Sequence, residues 1–306
     1  MNTQGKSAIL LATYNGEAYL RQQLDSLLEQ SYEDFVICVH DDGSKDGTAA
    51  ILEEYAARYP EKITVLPGAA TGSSRDNFFW LMAQVEAPYY FFCDQDDIWL
   101  PRKLALCREK MAGLETDGVP ALVFTDLSVA DEQGRVLHRR MSEFQSLPPE
   151  GAAFPRLLMQ NVVTGCTVMI NRALRDKALL PIPAEGVIMH DWFLALTAAR
   201  FGVIGFVDAP TMLYRQHGGN VVGAKNVRSA EYILSRLASG KIRTSLADTR
   251  AQAAFFAAHF GEAEDSLAAR YGKLEEESKA ERLLFYEKEG VKKSGLLRNL
   301  GLIVFG

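Results

Sequence analysis

The chain contains little cysteine, and none of it is arranged to bind zinc. Four cysteines stand at positions 38, 93, 107 and 166 of the 306 residues, and no two of them form a C-x-x-C pair. The first two lie inside apolar runs, where a reduced and buried thiol is the usual state in a cytosolic protein. We therefore expect four reduced thiols and no zinc centre.

Long hydrophobic runs and an excess of positive charge are also missing. The longest uncharged stretch, between Arg156 and Arg172, contains Gln160, Asn161 and Thr164. It is shorter than the ~20 predominantly apolar residues that span a bilayer, and the polar N-terminus lacks the pattern of a signal peptide. A net charge of −6 and a pI of about 5.5 disfavour nucleic acid as a partner. These features predict a cytoplasmic protein.

Two common phosphate-binding fingerprints are absent as well. The first apolar run ends in Thr13-Tyr14-Asn15-Gly16, which is not the G-x-G-x-x-G turn of dinucleotide-binding folds. No G-x-x-x-x-G-K-[ST] loop occurs in the chain. Any nucleotide must therefore be held by other means.

Periodic patterns in the first 130 residues alternate between strands and helices. Short apolar runs predict the strands, and apolar residues at helical spacing predict the helices between them. The predicted strands cover 8–12, 35–39, 63–66, 88–93 and 122–125, and the predicted helices cover 17–30, 48–59, 77–85 and 102–114. Strands separated by helices indicate an α/β fold with a mostly parallel sheet and right-handed crossovers.

The second half of the chain changes character twice. The pattern loosens from about 131 to 160, and we then predict strands at 162–170, 203–207 and 212–214 and a helix at 191–201. Beyond Ser229, the good helix formers Ala, Glu, Leu, Lys and Arg dominate. We therefore predict an α/β domain at 1–228 and a C-terminal helical region at 229–306.

The last sixteen residues, 291–306, combine basic and apolar side chains. They include Lys292, Lys293 and Arg298, no acidic residue and eight large apolar residues. Such a segment fits the surface of an anionic membrane, or it docks on its own domain or on a partner chain. The first reading would place the protein peripherally at the inner face of the cell membrane.

Three carboxylates follow the apolar run 88–93, in the sequence Cys93-Asp94-Gln95-Asp96-Asp97-Ile98-Trp99. Burying bare carboxylates is costly unless they are paired or bound to metal, and their like charges repel one another. A divalent cation would resolve both problems, and Mg²⁺ or Mn²⁺ suits oxygen ligands and substrate phosphates. Open α/β sheets bind ligands at this edge. The alternative is a solvated turn that caps the helix after Pro101.

A second acidic loop follows the second predicted strand, with the sequence His40-Asp41-Asp42-Gly43-Ser44-Lys45-Asp46-Gly47-Thr48. Two acids before a glycine turn and a helix start can accept hydrogen bonds from a base or a ribose. An ordinary loop with a capping aspartate would explain Asp46 but not the pair before it.

Together these segments resemble a known enzyme family. Residues 12–16, 40–48 and 94–99 resemble the signatures of family 2 inverting glycosyltransferases, in the same order and at fitting separations. The form Cys-Asp-Gln-Asp-Asp-Ile-Trp most resembles bacterial rhamnosyltransferase-like enzymes of polysaccharide assembly. The resemblance covers about residues 7–223 and implies the GT-A fold, with a nucleotide sugar bound across the strand ends.

The resemblance also implies roles for the two loops near the N-terminus. Thr13, Tyr14 and Asn15 would border the nucleotide, largely through backbone atoms. Asp41 or Asp42 would contact the base or the ribose.

Roles at the acidic run follow in the same way. Asp94-Gln95-Asp96 fits the D-x-D motif of the family, so Asp96 would be the principal metal ligand and Asp94 would reach the ribose or a metal-bound water. Arg75, Asp76 and Asn77 stand where such enzymes approach the nucleotide sugar. For Arg75, a surface charge at a helix start is an equal alternative.

The segment His190-Asp191-Trp192-Phe193 occupies the place of the acidic pair of the family. Asp191 fits the catalytic base, which removes the proton of the attacking sugar hydroxyl. His190 replaces the first acid, so the role of that acid does not transfer. The alternative reading of Asp191 is a plain helix N-cap.

Two further segments complete the resemblance. In Tyr214-Arg215-Gln216-His217-Gly218-Gly219-Asn220, Arg215 and His217 would hold the diphosphate, and His217 is also a candidate metal ligand; a lone histidine is otherwise more often structural. Gly165-Cys166-Thr167 resembles the lining of the acceptor side, where Cys166 would pack rather than react because no base adjoins it.

The resemblance implies a metal-dependent inverting glycosyltransferase that uses Mg²⁺ or Mn²⁺. The donor would be dTDP-rhamnose, with a UDP-hexose still open, and the acceptor a saccharide or lipid-linked saccharide. Two alternatives remain. A sugar-phosphate nucleotidyltransferase would need a basic, glycine-rich loop after the first strand, yet no basic residue occurs there before Arg21. A non-catalytic binding protein on the same fold would not need the acidic run or Asp191.

Overall fold

A computed structural model describes residues 1–180, 186–218 and 241–305. In these residues the chain forms nine strands, twelve α-helices and three short 3₁₀ turns. The strands are β1 Ser7–Thr13, β2 Phe35–Asp41, β3 Ile63–Val65, β4 Tyr89–Cys93, β5 Ile98–Trp99, β6 Ala121–Ala130, β7 Val136–His138, β8 Met169–Asn171 and β9 Val203–Arg215.

The helices of the first half alternate with strands, whereas the last four follow one another. They are α1 Leu20–Leu28, α2 Thr48–Arg58, α3 Ser74–Gln84, α4 Lys103–Ala112, α5 Met141–Phe144, α6 Phe154–Leu157, α7 Arg172–Ala178, α8 His190–Phe201, α9 Lys241–His259, α10 Leu267–Gly272, α11 Lys279–Glu289 and α12 Leu296–Phe305. The 3₁₀ turns cover Pro149–Ala152, Gly165–Thr167 and Leu274–Glu276. Among the described residues, no helix combines the length and the apolar character needed to cross a bilayer.

All nine strands belong to one sheet, in the order β3-β2-β1-β4-β8-β6-β9-β5, with β7 paired to β6. The pairs β3–β2, β2–β1, β1–β4 and β6–β9 are parallel, and β8 is antiparallel to both of its neighbours. The predicted α/β class with a mostly parallel sheet is therefore confirmed. The carboxyl ends of β1, β2, β4, β6 and β9 share one edge.

The short strand β5 explains how the acidic segment is placed. Among the described strands β5 pairs with β9 alone, four strand positions from β4 in the sheet order. Four strand spacings amount to about 19 Å, while the five peptide steps from Cys93 to Ile98 reach at most about 18 Å. The sheet therefore curls, and the segment 94–97 closes the curl across the carboxyl edge.

Helices cover both faces of the sheet and form two apolar cores. On one face, α1, α2 and α4 pack on the odd positions of β1 through residues such as Leu24, Ile51 and Leu104. On the other face, α3 and α8 are joined by the C-terminal helices, and Phe193 of α8 packs against Phe256 of α9 with ring centroids 5.9 Å apart. The C-terminal helices thus share a core with the sheet. The predicted domain boundary at 228/229 lies outside the described residues.

Four predicted strands differ from the observed ones. The prediction of a strand at 162–170 is wrong for its first seven residues: a 3₁₀ turn occupies Gly165–Thr167, and only Met169–Asn171 pairs in the sheet. The two strands predicted at 203–207 and 212–214 are one strand, β9. The strand predicted at 122–125 continues to Ala130.

Candidate active site

The acidic loop between β4 and β5 buries more negative charge than its neighbours balance. Asp97 is fully buried; its Oδ1 accepts the Arg215 amide at 3.2 Å, and its Oδ2 has no partner among the described residues. Burial, followed by the charges of Asp96 and Asp94, raises the pKa of Asp97 well above its ordinary value. Burial, followed by Asp96 and Asp191, raises the pKa of Asp94 to about 7. This loop has the electrostatics of a cation site.

Two predicted metal ligands meet at this loop. The Nε2 atom of His217 lies 2.8 Å from Oδ2 of Asp96, although 121 residues separate them in sequence. Both side chains are largely covered, with exposures of 11% and 15%. The His217 ring also packs against Tyr19 of the segment before α1, with ring centroids 4.5 Å apart. β4 and β9 therefore present an imidazole and a carboxylate to the same point.

The loop after β1 is paired to the acidic loop through Gln95. The Tyr14 amide donates to Oε1 of Gln95, and Nε2 of Gln95 donates to the Tyr14 carbonyl, both at 2.8 Å. A Cβ on Gly16 would lie 2.2 Å from Oε1 of Gln95, so a side chain at this position would displace the Gln95 amide. The Tyr14 side chain remains 56% exposed. Its ring is thus available at the mouth of the site.

The loop after β1 also interlocks with the loop after β2. Asn15 has a φ of +48°, and its amide donates to Oγ of Ser44 while its Oδ1 accepts the Lys45 amide, both at 2.8 Å. Thr13 Oγ1 donates to Oδ1 of Asp41 at 2.8 Å, and Asp41 also accepts the Ser44 amide at 2.9 Å. Both loops are therefore held rigidly before any ligand binds.

Asp42 connects the end of β2 to the start of α3. Its carboxylate accepts the Thr71 amide, the Thr71 hydroxyl at 2.9 Å and the Gly72 amide at 3.0 Å. The side chain is only partly buried. Asp42 thus lies at the rim that the carboxyl ends of β1 and β2 form.

Arg75 and Asn77 follow on α3 and make contacts that the sequence did not reveal. Arg75 Nε donates to Asp76 at 2.8 Å, and its Nη1 donates to the Val187 carbonyl at 2.8 Å, which links α3 to the segment before α8. Asn77 is 2% exposed, and its amide bonds both the ring and the carbonyl of His40. In this structure the Asn77 side chain is hydrogen-bonded to His40 and is not exposed where a nucleotide could contact it.

Arg215 is likewise part of the framework beneath the site. It is 3% exposed, and its guanidinium donates to the Asp96 carbonyl at 2.9 Å, the Glu132 carbonyl at 2.7 Å and the Gln22 side chain at 2.6 Å. It also lies over the Tyr19 ring at 4.8 Å. Contact with a diphosphate, as the sequence suggested, would require some of these bonds to be exchanged.

Asp191 stands in the first turn of α8 with a buried carboxylate. Met189 is the N-cap, so Asp191 is not the plain cap that was the alternative. Burial raises its pKa to about 6, although hydrogen bonds from the Trp192 and Gly165 amides and from the Asn161 side chain act in the opposite direction. A Cβ on Gly165 would lie 3.5 Å from Cβ of Asp191, and the Sγ atom of the next residue, Cys166, lies within 4.8 Å of an Asp94 oxygen, so the two carboxylates belong to one site.

The neighbouring His190 is a neutral packing residue. Its ring is 3% exposed and lies against Phe78 and Phe92, with centroids 4.2 and 5.3 Å away. Burial lowers its pKa to about 3, and neither ring nitrogen has a partner among the described residues. A Cβ on Gly165 would lie 3.1 Å from its Nε2, so the turn before β8 packs directly on this ring.

Four residues of the site were not found from the sequence: Tyr19, Gln22, Lys103 and Asn161. Gln22 and Tyr19 hold Arg215 and His217, but their partners lie nearly 200 residues away, so no local pattern marks them. Lys103 is fully buried below the acidic loop. The one signal in the sequence is its place six residues after Asp97.

The residues present fit a divalent cation. Asp96 and His217 supply one carboxylate oxygen and one imidazole nitrogen at hydrogen-bonding distance from each other. Ligand atoms of Asp94, Asp97 and Cys166 lie within 4.8 Å of one another, and Asp97 carries the unpartnered buried oxygen. Oxygen and imidazole donors suit Mg²⁺ and Mn²⁺.

Comparison with known proteins agrees with the motifs. Residues 8–179 match the Glycosyl transferase family 2 profile. The chain is 31% identical over 234 residues to a dTDP-rhamnosyl transferase, RfbG, of Shigella flexneri, an alignment that covers 72% of this chain and 76% of that protein.

Solved structures agree with the fold. TarS 1-349 of S. aureus, in complex with UDP-GlcNAc, is 19% identical with a TM-score of 0.55, covering 93% of this chain and 79% of TarS. The mannosyltransferase PcManGT of Pyrobaculum calidifontis, in complex with GDP-Man and Mn²⁺, is 15% identical with a TM-score of 0.54, covering 94% of this chain and 80% of the other.

Proposed function

The chain belongs to glycosyl transferase family 2, and from that premise we propose that it is a metal-dependent inverting glycosyltransferase. It would move a sugar from a nucleotide-sugar donor to a saccharide or lipid-linked saccharide in the assembly of a bacterial polysaccharide. Family membership already makes the protein a glycosyltransferase rather than a nucleotidyltransferase or a binding protein. The metal, the stereochemistry and the substrates belong to the proposal.

One observation carries the proposal: Asp96 and His217 converge at 2.8 Å, beside Asp94 and in one site with Asp191. A carboxylate and an imidazole at one end of the site, with a separate buried carboxylate of raised pKa, match the needs of sugar transfer. One group must hold the departing diphosphate, and the other must take the proton of the attacking hydroxyl.

Asp96 and His217 would hold the cation, with Asp94 as a further ligand or a contact to the ribose. When bound, the cation neutralises charge on the departing diphosphate as a Lewis acid. Thr13, Tyr14, Asn15, Asp41 and Asp42 would border the nucleotide, because their loops surround the same strand ends.

Asp191 would act as the base. Its carboxylate is held by backbone amides and by Asn161, so it points to a fixed place. It would take the proton from the acceptor hydroxyl as that oxygen attacks the anomeric carbon from the face opposite the diphosphate. A single in-line displacement inverts the configuration at that carbon.

The donor that we favour is dTDP-rhamnose, supported by the likeness to the dTDP-rhamnosyl transferase RfbG. A UDP-hexose is the second candidate, because TarS was solved with UDP-GlcNAc on the same fold. The cation would be Mn²⁺ or Mg²⁺, and PcManGT was solved with Mn²⁺.

Thermal melting in the presence of each donor tests the proposal. We expect dTDP-rhamnose with Mn²⁺ at about one hundred times its Kd to raise the melting temperature by roughly 5–10 °C, since a ligand that binds only the folded state stabilises it. EDTA should remove most of this rise, and so should Asp96→Asn. Glu53→Gln, which makes the same charge change on the exposed face of α2, should not.

The products separate the remaining possibilities. Transfer that inverts the anomeric carbon, read by NMR of the product, supports the mechanism. If the donor raises the melting temperature by the same amount in EDTA as with Mn²⁺, the proposed metal dependence is wrong. Retention of the anomeric configuration would contradict the single displacement.

A further inference from the structure

Lys103, the first residue of α4, is fully buried, and among the described residues no carboxylate lies within ion-pair distance of its ammonium. Its Nζ donates to the Cys166 carbonyl at 2.6 Å, and it lies 3.2 Å from Sδ of Met212 and 4.2 Å from the Trp99 ring centroid. Lysine is almost never fully buried unless it is paired. None of these three neighbours carries a formal charge, so its position calls for an explanation.

Two carboxylates lie on the other side of Cys166. The Sγ atom of Cys166 is within 4.8 Å of carboxylate oxygens of both Asp94 and Asp97. Asp97 is itself fully buried and keeps one oxygen without a partner among the described residues. The Lys103 ammonium and the Asp97 carboxylate, neither of which has a paired opposite charge among the described residues, therefore both face Cys166. In the protein interior, charges interact over longer distances than they do in water.

We propose that Lys103 is a positioning residue: an internal cation that holds the Asp94–Asp97 loop in shape whenever the divalent cation is absent. Without a bound divalent cation, the carboxylates of this loop would repel one another. The fixed ammonium offsets that repulsion from below. This inference rests on the proposed function for the part that concerns the metal, but not for the coupling of Lys103 to Asp97.

The proposed role is distinguished from metal binding and from packing by whether the loss of Lys103 destabilises the metal-free protein more or less than the metal-bound protein. Lys103 and the divalent cation act on the same carboxylates, so each reduces the need for the other. Loss of the ammonium should therefore harm the metal-free protein more than the metal-bound protein. Loss of mere packing would harm both equally.

The first experiment uses the full-length protein in EDTA, where no metal contributes. We expect Lys103→Met to lower the melting temperature by on the order of 10 °C, because it leaves a buried carboxylate without its counter-charge. Adding Asp97→Asn to Lys103→Met should recover roughly half of that loss or more, and Lys103→Arg should lose less than Lys103→Met. Losses that simply add in the double variant would overturn the proposal.

A failure of Lys103→Met to fold is also decisive. If the double variant with Asp97→Asn folds where the single variant does not, the coupling is supported. If both fail and Lys103→Arg fails as well, the residue is needed for its shape, and the proposal is overturned.

The second experiment adds saturating Mn²⁺. We expect the rise in melting temperature to be larger in Lys103→Met than in the wild type. Lys177→Met is the control, since Lys177 lies over the Phe201 ring at 4.4 Å, far from the acidic loop, and should leave the Mn²⁺ rise unchanged. An equal rise in Lys103→Met and wild type would contradict the metal part. If Mn²⁺ does not raise the melting temperature of the wild type, the proposed metal dependence is wrong. The role of Lys103 is then tested by the experiment in EDTA alone.

Discussion

Asp191 illustrates what burial does to a single carboxylate. Its pKa is raised to about 6, so the group is still largely ionised at neutral pH but holds a proton more readily than a surface aspartate. A base with a pKa close to the working pH combines the correct protonation state with a strong pull on the proton. The three hydrogen bonds to it keep the pKa from rising further.

The pH dependence of transfer should report this group. Because the base must be deprotonated to act, we expect kcat/KM to rise with pH through about 6 and then to reach a plateau. Asp191→Asn should lower turnover by about a thousandfold or more while the Kd for the donor stays within about threefold. Steady-state rates from pH 5 to 8 and donor binding by calorimetry are the measurements.

Asp208→Asn serves as the comparison, since Asp208 is an exposed carboxylate paired with Arg140 away from the strand ends. It should keep the wild-type pH profile. A profile in which Asp191→Asn still rises through the same pH would assign the titration to another group.

Site residues that belong to a sequence motif could be predicted from the sequence. The contacts that depend on residues from other elements of the fold could not. The convergence of Asp96 with His217 follows from two motifs whose strands end at one edge. The burial of Asn77 and Arg215 does not, because their partners His40 and Gln22 come from other elements. A sequence shows that a polar side chain is present but not which carbonyl or amide it already satisfies.

At the scale of elements, the helix that carries Asp191 depends on the C-terminal helices. Phe193 of α8 packs against Phe255, Phe256 and Phe260 of α9 and its end, with ring centroids 5.9 to 6.2 Å apart. Phe256 is fully buried. The position of the proposed base is therefore set partly by residues beyond the strand-bearing part of the chain.

Phe256→Ala should destabilise the whole protein and not only α9. We expect a loss of about 3–5 kcal/mol in the free energy of unfolding, since a large aromatic side chain leaves a cavity in a shared core. Urea denaturation followed by circular dichroism measures it. Leu284→Ala, whose side chain is 64% exposed, should change the free energy by less than about 0.5 kcal/mol. A separate, early transition of α9–α12 alone would show that they form their own folding unit.

The bounds that the sequence predicts for β6 and β9 are wrong for the same physical reason. Each strand contains polar or proline residues whose hydrogen-bonding requirements are met by other parts of the structure. Asp208 and Pro210 interrupt the apolar pattern of β9, so the sequence predicts two strands, yet Pro210 pairs with Asp126 at a register shift, where a missing amide is tolerated. β6 was ended before Asp126, which is buried because Ser142 and the Leu127 amide satisfy it.

The reverse error occurred at 162–168. The apolar residues there suggested a strand, but the Asn161 side chain bonds the amide and the carbonyl of Val163, and Thr167 bonds the Thr164 carbonyl. Such local bonds compete with strand pairing. The turn that results is the one that brings Cys166 to the carboxylates.

For the molecule as a whole, the question is what the segment 291–306 touches. Val291 and Leu302 are buried, and Arg298 donates to the carbonyls of Gln145 and Ser146, so the segment is docked on its own protein. Its outer side chains Ile303 and Val304 are 54% and 59% exposed. Contact with a membrane through this outer side remains a proposal.

Replacing Ile303 and Val304 together by glutamate tests that contact. We expect the affinity for vesicles rich in anionic lipid to fall by about tenfold or more, because two aliphatic side chains no longer bury and two negative charges meet a negative surface. Vesicle co-sedimentation measures this. Deletion of the segment is the poorer test, since it would also expose the core beneath Leu302.

Leu180→Glu is the matched control, because Leu180 is 74% exposed and lies at the opposite end of the sheet. It should bind vesicles as the wild type does. If neither change affects vesicle binding, the exposed pair has no part in it, and the proposed membrane contact through Ile303 and Val304 is wrong.

The place of β9 in the sheet has a consequence for the synthesis of the protein on the ribosome. In the part of the chain that the structure describes, β9 is the one strand that pairs with β5, and it leads directly to His217. A nascent chain that has emerged only as far as α8 already contains Asp94, Asp96 and Asp191 but has nothing to close the acidic loop or to complete the cation site. The protein should therefore gain affinity for metal and nucleotide only in the last part of its translation, when most of the sheet is already folded.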